Sequence, residues 1–526
     1  MGKKIFFILT FFLFSLFNLS NATNVVEGER RDIDDKFRYN INFSEENDVY
    51  PLESFDFLKS KSDISNRVYL TLEEVTELAL QNNFDIQLAK FDAQFKETDL
   101  DKVKSIYDTV IEAEARYKDD QTKSASAFSG THSEAHDYNF GVSKKLPTGT
   151  TLGLYSDNQR YWTDSPYTTI NPAHDSSIEL ALSQDLGKNF FGLKDRSDLK
   201  ITKIDIENVH YTSLDKIEEM LSNVQKTYWR IAKQLKVVEI RKDMLDKADE
   251  LFRINKEKIK RGIIEQPQLL SSEANFGQRE IDVVLALNEL ESYINELKLL
   301  LNIENRDKII LPKEELDLVV RLTELGEALK TAFSHRRDYF KARNEVDSQK
   351  IKLVMKGNAL WPEINLEASI RRNSLGDHFT QAIKNIGQED NPEYSLGLKI
   401  KFPLENRLAK SEFNKAKIEK AIALLNLKNT ERRILVQIED SVRNCNIFKE
   451  RAKKQKNVVE LQREKLAAEL KAYQYGRSDT DTVIRYQDDL LSSELLYTQA
   501  LLDYKQALIE LSLKGNTLLD SFWERE

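Results

Sequence analysis

With 526 residues, a 31% charged fraction and only nine prolines, the chain has room for several domains and a composition suited to long helices. Its formal net charge of −9 is spread as mixed acidic and basic residues, without the basic block that nucleic-acid binding calls for. The one cysteine, Cys445, excludes a disulfide within the chain and lies too far along to carry a lipid at a mature N-terminus.

Residues 1–22 read as a secretory signal peptide. Lys3 and Lys4 precede an apolar run from Ile5 to Phe17, and Ser20-Asn21-Ala22 offers small residues for cleavage. The run is shorter than the ~20 residues that span a bilayer, so a retained anchor is not expected. No later segment approaches a transmembrane helix, so anything held in a membrane must be β-barrel or lipid-linked. Residues 23–69 lack helical period, carry many charges and read as an extended leader.

From Leu70 onward the sequence reads as two internal structural repeats, 70–320 and 321–517, with 518–526 as a C-terminal tail. The first opens with a helix in which Leu72, Ala79, Leu80 and Asp85 match Leu325, Ala332, Phe333 and Asp338 of the second. A β-hairpin region follows at about 109–186. There Ile111, Ala113, Ala115 and Tyr117, then Tyr138, Phe140 and Val142, then Leu152 and Leu154, then Ile178, Leu180 and Leu182 alternate with polar residues. The turn Leu146-Pro147-Thr148-Gly149 suggests one hairpin more than the second repeat has.

A long helical hairpin is expected over 193–302. Leu193 to Arg261 holds neither glycine nor proline, so as helix it runs roughly 100 Å. Gly262 can end it in the left-handed conformation, and Pro267 suits the start of the returning helix. The return carries Val283, Leu287, Leu290, Ile294 and Leu297 at coiled-coil spacing.

The second repeat follows the same plan. Its β region, about 362–404, sets Ile364, Leu366, Ala368 and Ile370 on one face against Asn365, Glu367, Ser369 and Arg371 on the other. Leu396, Leu398, Ile400 and Phe402 likewise oppose Ser395, Gly397, Lys399 and Lys401. Its helical hairpin, 405–514, has a second stretch free of glycine and proline from Leu404 to Tyr475, a turn at Gly476, and Ser478 or Asp479 as the next cap. The stripe Tyr497, Leu501, Tyr504, Leu508 and Leu511 repeats the first one residue for residue.

Apolar-out, polar-in alternation is the mark of a barrel strand between lipid and water, and a soluble sheet with one wet face is the plainer reading. With an export signal beside it, the barrel is the stronger expectation. Ile364, Leu366, Ala368, Ile370, Leu396, Leu398 and Ile400 are then the lipid-facing residues. Four strands cannot close a barrel alone and open edges are not tolerated in lipid, so several protomers must share one. Three copies would supply about twelve strands, or more if the additional hairpin joins the wall.

Other residues point to ordinary packing. Cys445 shares a helical stripe with Leu435, Ile438 and Val442 and reads as core filler. His132 and His136 have the spacing that holds zinc on a helix, but they fall in a polar, loop-like segment. No metal site, cofactor motif or catalytic constellation emerges, so the chain does not read as an enzyme. Tyr473 and Tyr475 are expected to pack, with bracing of the turn by hydrogen bonds as the rival role.

Several strings resemble the TolC-like outer-membrane efflux protein family (outer membrane factors) over roughly Leu70 to Leu519. Leu72-Glu73-Glu74-Val75-Thr76-Glu77-Leu78-Ala79-Leu80-Gln81-Asn82-Asn83 is similar to the family's opening helix, although Phe84 stands where a proline is common. Leu360-Trp361-Pro362-Glu363-Ile364-Asn365-Leu366 resembles the start of its second hairpin. Leu146-Pro147-Thr148-Gly149-Thr150, followed by Leu180-Ala181-Leu182-Ser183-Gln184-Asp185-Leu186, resembles the hairpin segments of longer members.

The resemblance implies an α + β membrane protein. Long antiparallel coiled-coil hairpins would form an α-barrel in the periplasm, joined to a β-barrel shared by a homotrimer in the outer membrane. It implies an exit duct for efflux or type I secretion, working with a periplasmic adaptor and an inner-membrane transporter. By that likeness, Arg261, Gly262 and Ile263, with Tyr475, Gly476, Arg477 and Ser478, are adaptor-docking tips. Family members often narrow the tunnel with acidic residues six and nine positions past the second tip glycine. Here those positions are Thr482 and Arg485, with Asp479 and Asp481 nearby, so a constriction there need not be acidic. The rival from another class is a periplasmic coiled-coil scaffold with no membrane barrel.

Overall fold

The computed structural model describes residues 67–123, 128, 130–304, 308–318, 324–388 and 391–520. The signal-peptide reading, residues 23–66 of the leader and the end of the tail lie outside the described residues.

The leader expectation needs one correction at its end. Arg67–Leu70 is a strand, β1, paired in parallel with β6 (Ile309–Pro312), and Ile310 and Leu311 of that pair are buried. Four residues are too few to show a period, and the partner lies some 240 positions away, so neither strand announces itself.

Each predicted opening helix is in fact two. Helix α1 (Leu72–Asn82) starts on a capping box: the Thr71 hydroxyl accepts from the Glu74 amide, and the Glu74 carboxylate accepts from the Thr71 amide. At Asn83 the backbone turns extended (φ −67°, ψ 126°), and the Asn83 side chain caps α2 (Phe84–Lys104) through the Ile86 amide. The second half breaks at Arg336 (φ −65°, ψ 115°), between α5 (Leu325–His335) and α6 (Arg337–Asn358).

The long helices α3 (Leu193–Lys260) and α8 (Arg407–Gln474) have 68 residues each. Their returns, α4 (Gln266–Leu300) and α9 (Thr480–Gly515), have only 35 and 36. Each long helix is therefore flanked by two shorter ones laid end to end, α2 and α4 along α3, α6 and α9 along α8. Val283, Leu290, Ile294 and Leu297 bury the seam of α4, as Leu501 and Tyr504 bury that of α9. Cys445 sits in the core, where burial pushes its thiol up to about 11. The neighbours on its stripe are Ile434, Ile438 and Val442. Leu435, expected there, points outward, because over so long a helix the stripe runs 4-4-3 rather than 3-4-3.

Where the short helices meet, side chains close the free backbone ends. The Asn83 amide donates to the Leu300 carbonyl (2.8 Å), and Arg336 donates to the carbonyl of Lys514 (3.2 Å), the residue 214 positions after Leu300. Asn302 and Asn516 end α4 and α9 in the left-handed conformation, with φ of 50° and 53°. Beside the second joint lies a buried ionic cluster. Arg337 meets Glu218 at 3.1 Å and Asp215 at 3.4 Å, and Glu218 also accepts from Asn516 (2.7 Å).

Above the helices a six-stranded sheet runs β2-β3-β4-β5-β7-β8, antiparallel throughout. Its strands are β2 (Thr109–Asp120), β3 (Ser133–Lys145), β4 (Thr150–Thr163), β5 (Ala173–Asp185), β7 (Glu363–Gly376) and β8 (Pro392–Lys401). The additional hairpin, β3–β4, lies in the sheet between β2 and β5. His136 is thus on a strand and His132 next to it, not in a loop: His132 Nε2 contacts Asp119 at 2.8 Å, and His136 packs on Tyr117. Between β7 and β8 the chain forms one short helix, α7 (Phe379–Ile386).

The junction of sheet and helices is tight. Gly149 in the β3–β4 turn and Gly192 before α3 both have positive φ, and a Cβ on Gly149 would lie 2.5 Å from the Gly192 nitrogen. No side chain fits between these two segments.

Candidate functional site

Two regions carry the residues singled out in the sequence. The first is the sheet. Because cross-strand partners share a face, the register sorts every strand residue. One row reads Ile111, Val142, Leu154, Leu180, Ile370 and Tyr394 across all six strands. Around it on the same face lie Ala113, Phe140, Leu152, Leu182 and Ala368, with Leu396, Leu398 and Ile400. The opposite face carries Glu112, Glu114, Asn139, Asp157, Gln159 and Glu179, then Glu367, Arg371 and Lys399. The seven residues expected on one side of β7 and β8 do share it: Ile364 faces Ile400, Leu366 faces Leu398, and Ala368 faces Leu396.

The apolar face is bare. Leu396 is 78% exposed, and Ile111, Phe140, Leu154, Leu180 and Ile400 are also open. Contiguous apolar surface on this scale marks contact with lipid or protein. Among the described residues, no helix is long and apolar enough to cross a membrane. No group of three or more His, Cys, Asp or Glu among them is placed to hold a metal ion.

The second region is the pair of helix ends remote from the sheet. Both long helices finish in the same six-residue lock. The Ile263 amide donates to the Lys258 carbonyl and the Gly262 amide to Ile259; Arg477 donates to Ala472 and Gly476 to Tyr473. Gly262 (φ +67°) and Gly476 (φ +71°) take the left-handed conformation this lock needs, and a Cβ on either would meet nothing within 4 Å. Arg261, Gly262, Ile263, Tyr475, Gly476 and Arg477 are exposed, and Ser478 is half-buried with its hydroxyl on Glu469.

Just inside these turns a buried polar triangle joins the two hairpins. The Tyr473 hydroxyl donates to the Asn255 side-chain carbonyl, and the Asn255 amide donates to Thr480 Oγ1 (3.2 Å). Tyr473 and Thr480 hydroxyls lie 3.2 Å apart. Burial raises the Tyr473 hydroxyl's pKa. The Lys258 ammonium sits 3.5 Å from the centre of the Tyr473 ring and donates to the Tyr473 carbonyl, and burial lowers its pKa. Tyr473 both packs, against Leu251 and Val483, and braces; Tyr475 does neither and is 79% exposed.

Asp479 is the N-cap of α9. Its carboxylate accepts from the Thr482 amide at 2.7 Å, a bond that holds its pKa below the usual carboxylate range. Asp481 and Arg485 point to solvent, and Thr482 is half-buried. Asn255, Lys258 and Thr480 were not singled out from sequence. A signal existed: Asn255 continues the stripe Met244, Ala248, Leu251, where a polar residue in an apolar register asks for a partner.

Solved structures share this fold. The CmeC outer membrane channel of Campylobacter jejuni superposes with a TM-score of 0.61 at 16% identity, covering 85% of each chain. The outer membrane protein VceC of Vibrio cholerae gives 0.62 at 14%, over 84% of this chain and 95% of that one. The MtrE outer membrane channel of Neisseria gonorrhoeae, in its open state, gives 0.62 at 15%, over 85% and 89%. No curated protein matches the sequence. At these identities the likeness shows the fold alone, one that this chain shares with those outer membrane proteins. Residues 328–513, from α5 through α9, match the family model of outer membrane efflux proteins. Over that stretch the chain is similar to the TolC-like outer membrane efflux proteins, and the shared fold extends the likeness to most of the chain.

Proposed function

We propose that three copies of this chain form an outer-membrane exit duct, for efflux or type I secretion, with a shared β-barrel and a periplasmic helical tunnel. The observation that carries the proposal is the sheet: one face apolar and bare, the other polar, with strands β2 and β8 at its two edges. An open edge in lipid leaves several kcal/mol of backbone polarity unsatisfied per group, so the edge of one copy pairs with the opposite edge of the next. Three six-stranded sheets make eighteen strands, not twelve, a number that in porins encloses a water-filled channel. The apolar face meets lipid through Ile364, Leu366, Ala368, Ile370, Leu396, Leu398 and Ile400. The two repeats supply the two helical hairpins of each subunit, and their matching caps at 214-residue spacing support that reading.

In this arrangement Arg261, Gly262 and Ile263, together with Tyr475, Gly476, Arg477 and Ser478, meet a periplasmic adaptor linked to an inner-membrane transporter. Their exposure and rigid locks suit docking. Asp479, Asp481, Thr482 and Arg485 line the constriction inside the tips. The periplasmic scaffold without a barrel has no use for the bare strand face. Membrane fractionation followed by gel migration of unboiled protein separates the two readings. A detergent-resistant oligomer in the outer membrane is the expected result, and a soluble monomer overturns it.

A further inference from the structure

The short helix α7, between β7 and β8, is not explained by a channel wall alone. Its residues Phe379, Ala382, Ile383 and Ile386 form one apolar sector about 100° wide, while Thr380, Gln381, Lys384 and Asn385 fill the rest of the wheel. The sector is only half used within the chain. Ala382 and Ile386 are buried, whereas Phe379 and Ile383 are each nearly half exposed.

The register says which side of the sheet the helix occupies. Gly376 shares the face of Ser374, Arg372 and Ile370, the apolar face, and a Cβ on Gly376 would meet the Ala382 nitrogen at 3.2 Å. Ser374 and its partner Ser176, also on that face, are buried. Helix α7 therefore packs over the serines at the far end of the strands, one row beyond the exposed Ile178, where the bare apolar surface of β5 and β7 stops. Seated this way on Ala382 and Ile386, the helix turns Phe379 and Ile383 to one flank and Lys384 away from the sheet.

We propose that α7 is an interfacial collar: its Phe379–Ile383 flank continues the lipid-facing surface into the outer acyl boundary, with Lys384 at headgroup level. This rests on the lipid-facing wall proposed above. An amphipathic helix with an apolar flank beside an apolar belt lowers its free energy by lying in that boundary. The exposed pair also lies at the level where membrane barrels place aromatic girdles: Tyr138 and Tyr117 are open on the same face at the other end of the sheet, while the strands beneath α7 carry Arg372 and Ser374.

The test attaches an environment-sensitive fluorophore to Phe379→Cys, Lys384→Cys and Leu398→Cys, each in a Cys445→Ser background of the full-length protein. The proteins are reconstituted in phosphatidylcholine vesicles carrying a nitroxide quencher near the top of the acyl chain. Loss of emission is expected for the labels at 379 and 398, with the label at 384 protected. Quenching at 398 with position 379 as protected as 384 overturns the collar while leaving the wall intact. Protection at 398 as well removes the lipid-facing wall, and the collar with it. A Phe379→Tyr variant, labelled at 383 through Ile383→Cys, guards against a collapse of the helix caused by losing the Phe379 ring.

Discussion

The strand wall and the helical tips obey one rule of apolar patterning and put it to opposite ends. Along β8, Leu396 and Leu398 stand open; at the tips, Tyr473 and Val483 are sealed, at 3% and 0% exposure. A helical stripe finds its apolar partner on the neighbouring helix of the same chain. The strand face finds none, and each of its large side chains forgoes roughly 1.5–3 kcal/mol until something apolar covers it. The tips are therefore stable by virtue of the chain, and the wall by virtue of its surroundings.

The sharpest way to break this comparison is a lesion buried wholly among helices. Glu218→Ala removes the fully buried carboxylate of the two that face Arg337, leaving only the partly exposed Asp215, and should cost up to about 3–5 kcal/mol in denaturant unfolding. The loss should be equal in detergent and in lipid. A loss that depends on the bilayer would show that the helices are not self-sufficient.

Next in size is Leu398→Arg, a charge placed on the bare face. It should cost about 2–4 kcal/mol in membranes, read as loss of the oligomer on unboiled gels. Lys399→Leu, one residue along and on the wet face, should leave the oligomer nearly intact. Equal effects would erase the distinction between faces.

At the tips, Tyr473→Phe removes one corner of the buried triangle and leaves Asn255 short of a donor. A cost of about 1–3 kcal/mol is expected. Limited proteolysis should accelerate at residues 261–265 and 475–479 while the strands stay protected.

The smallest effect is the cap: Asp479→Ala should cost about 1 kcal/mol of α9 stability. The folded pKa of Asp479 is depressed, so its contribution is complete above the unfolded value of ~3.9 and disappears as pH falls through the lower folded one. Thermal melts of wild type and variant should therefore differ at neutral pH and converge in strong acid.

What the sequence disclosed follows from the range of the interactions involved. Strand faces were legible because a period of two survives any tertiary context that leaves one side apolar, and β7 from Ile364 to Arg371 and β8 from Tyr394 to Lys401 show it. The tip glycines were legible because a left-handed residue after 68 helical ones leaves few alternatives. The breaks at Asn83 and Arg336 were not, since a cap such as Asn83, or an arginine that bonds a distant carbonyl, looks like an ordinary polar residue in mid-helix until its partner appears. The pairing of β1 with β6, and the Arg337–Glu218–Asp215 cluster, join residues more than a hundred positions apart, and no local pattern encodes them. Helix α7 escaped notice because eight residues give barely two turns of period.

The staggered joints of the helices have a mechanical consequence. Each interruption, at Asn83 and at Arg336, falls alongside the middle of an unbroken 68-residue rod, as in brickwork laid with overlapping courses. At that level both rods run through unbroken, so a bend at either joint must also bend a 68-residue helix.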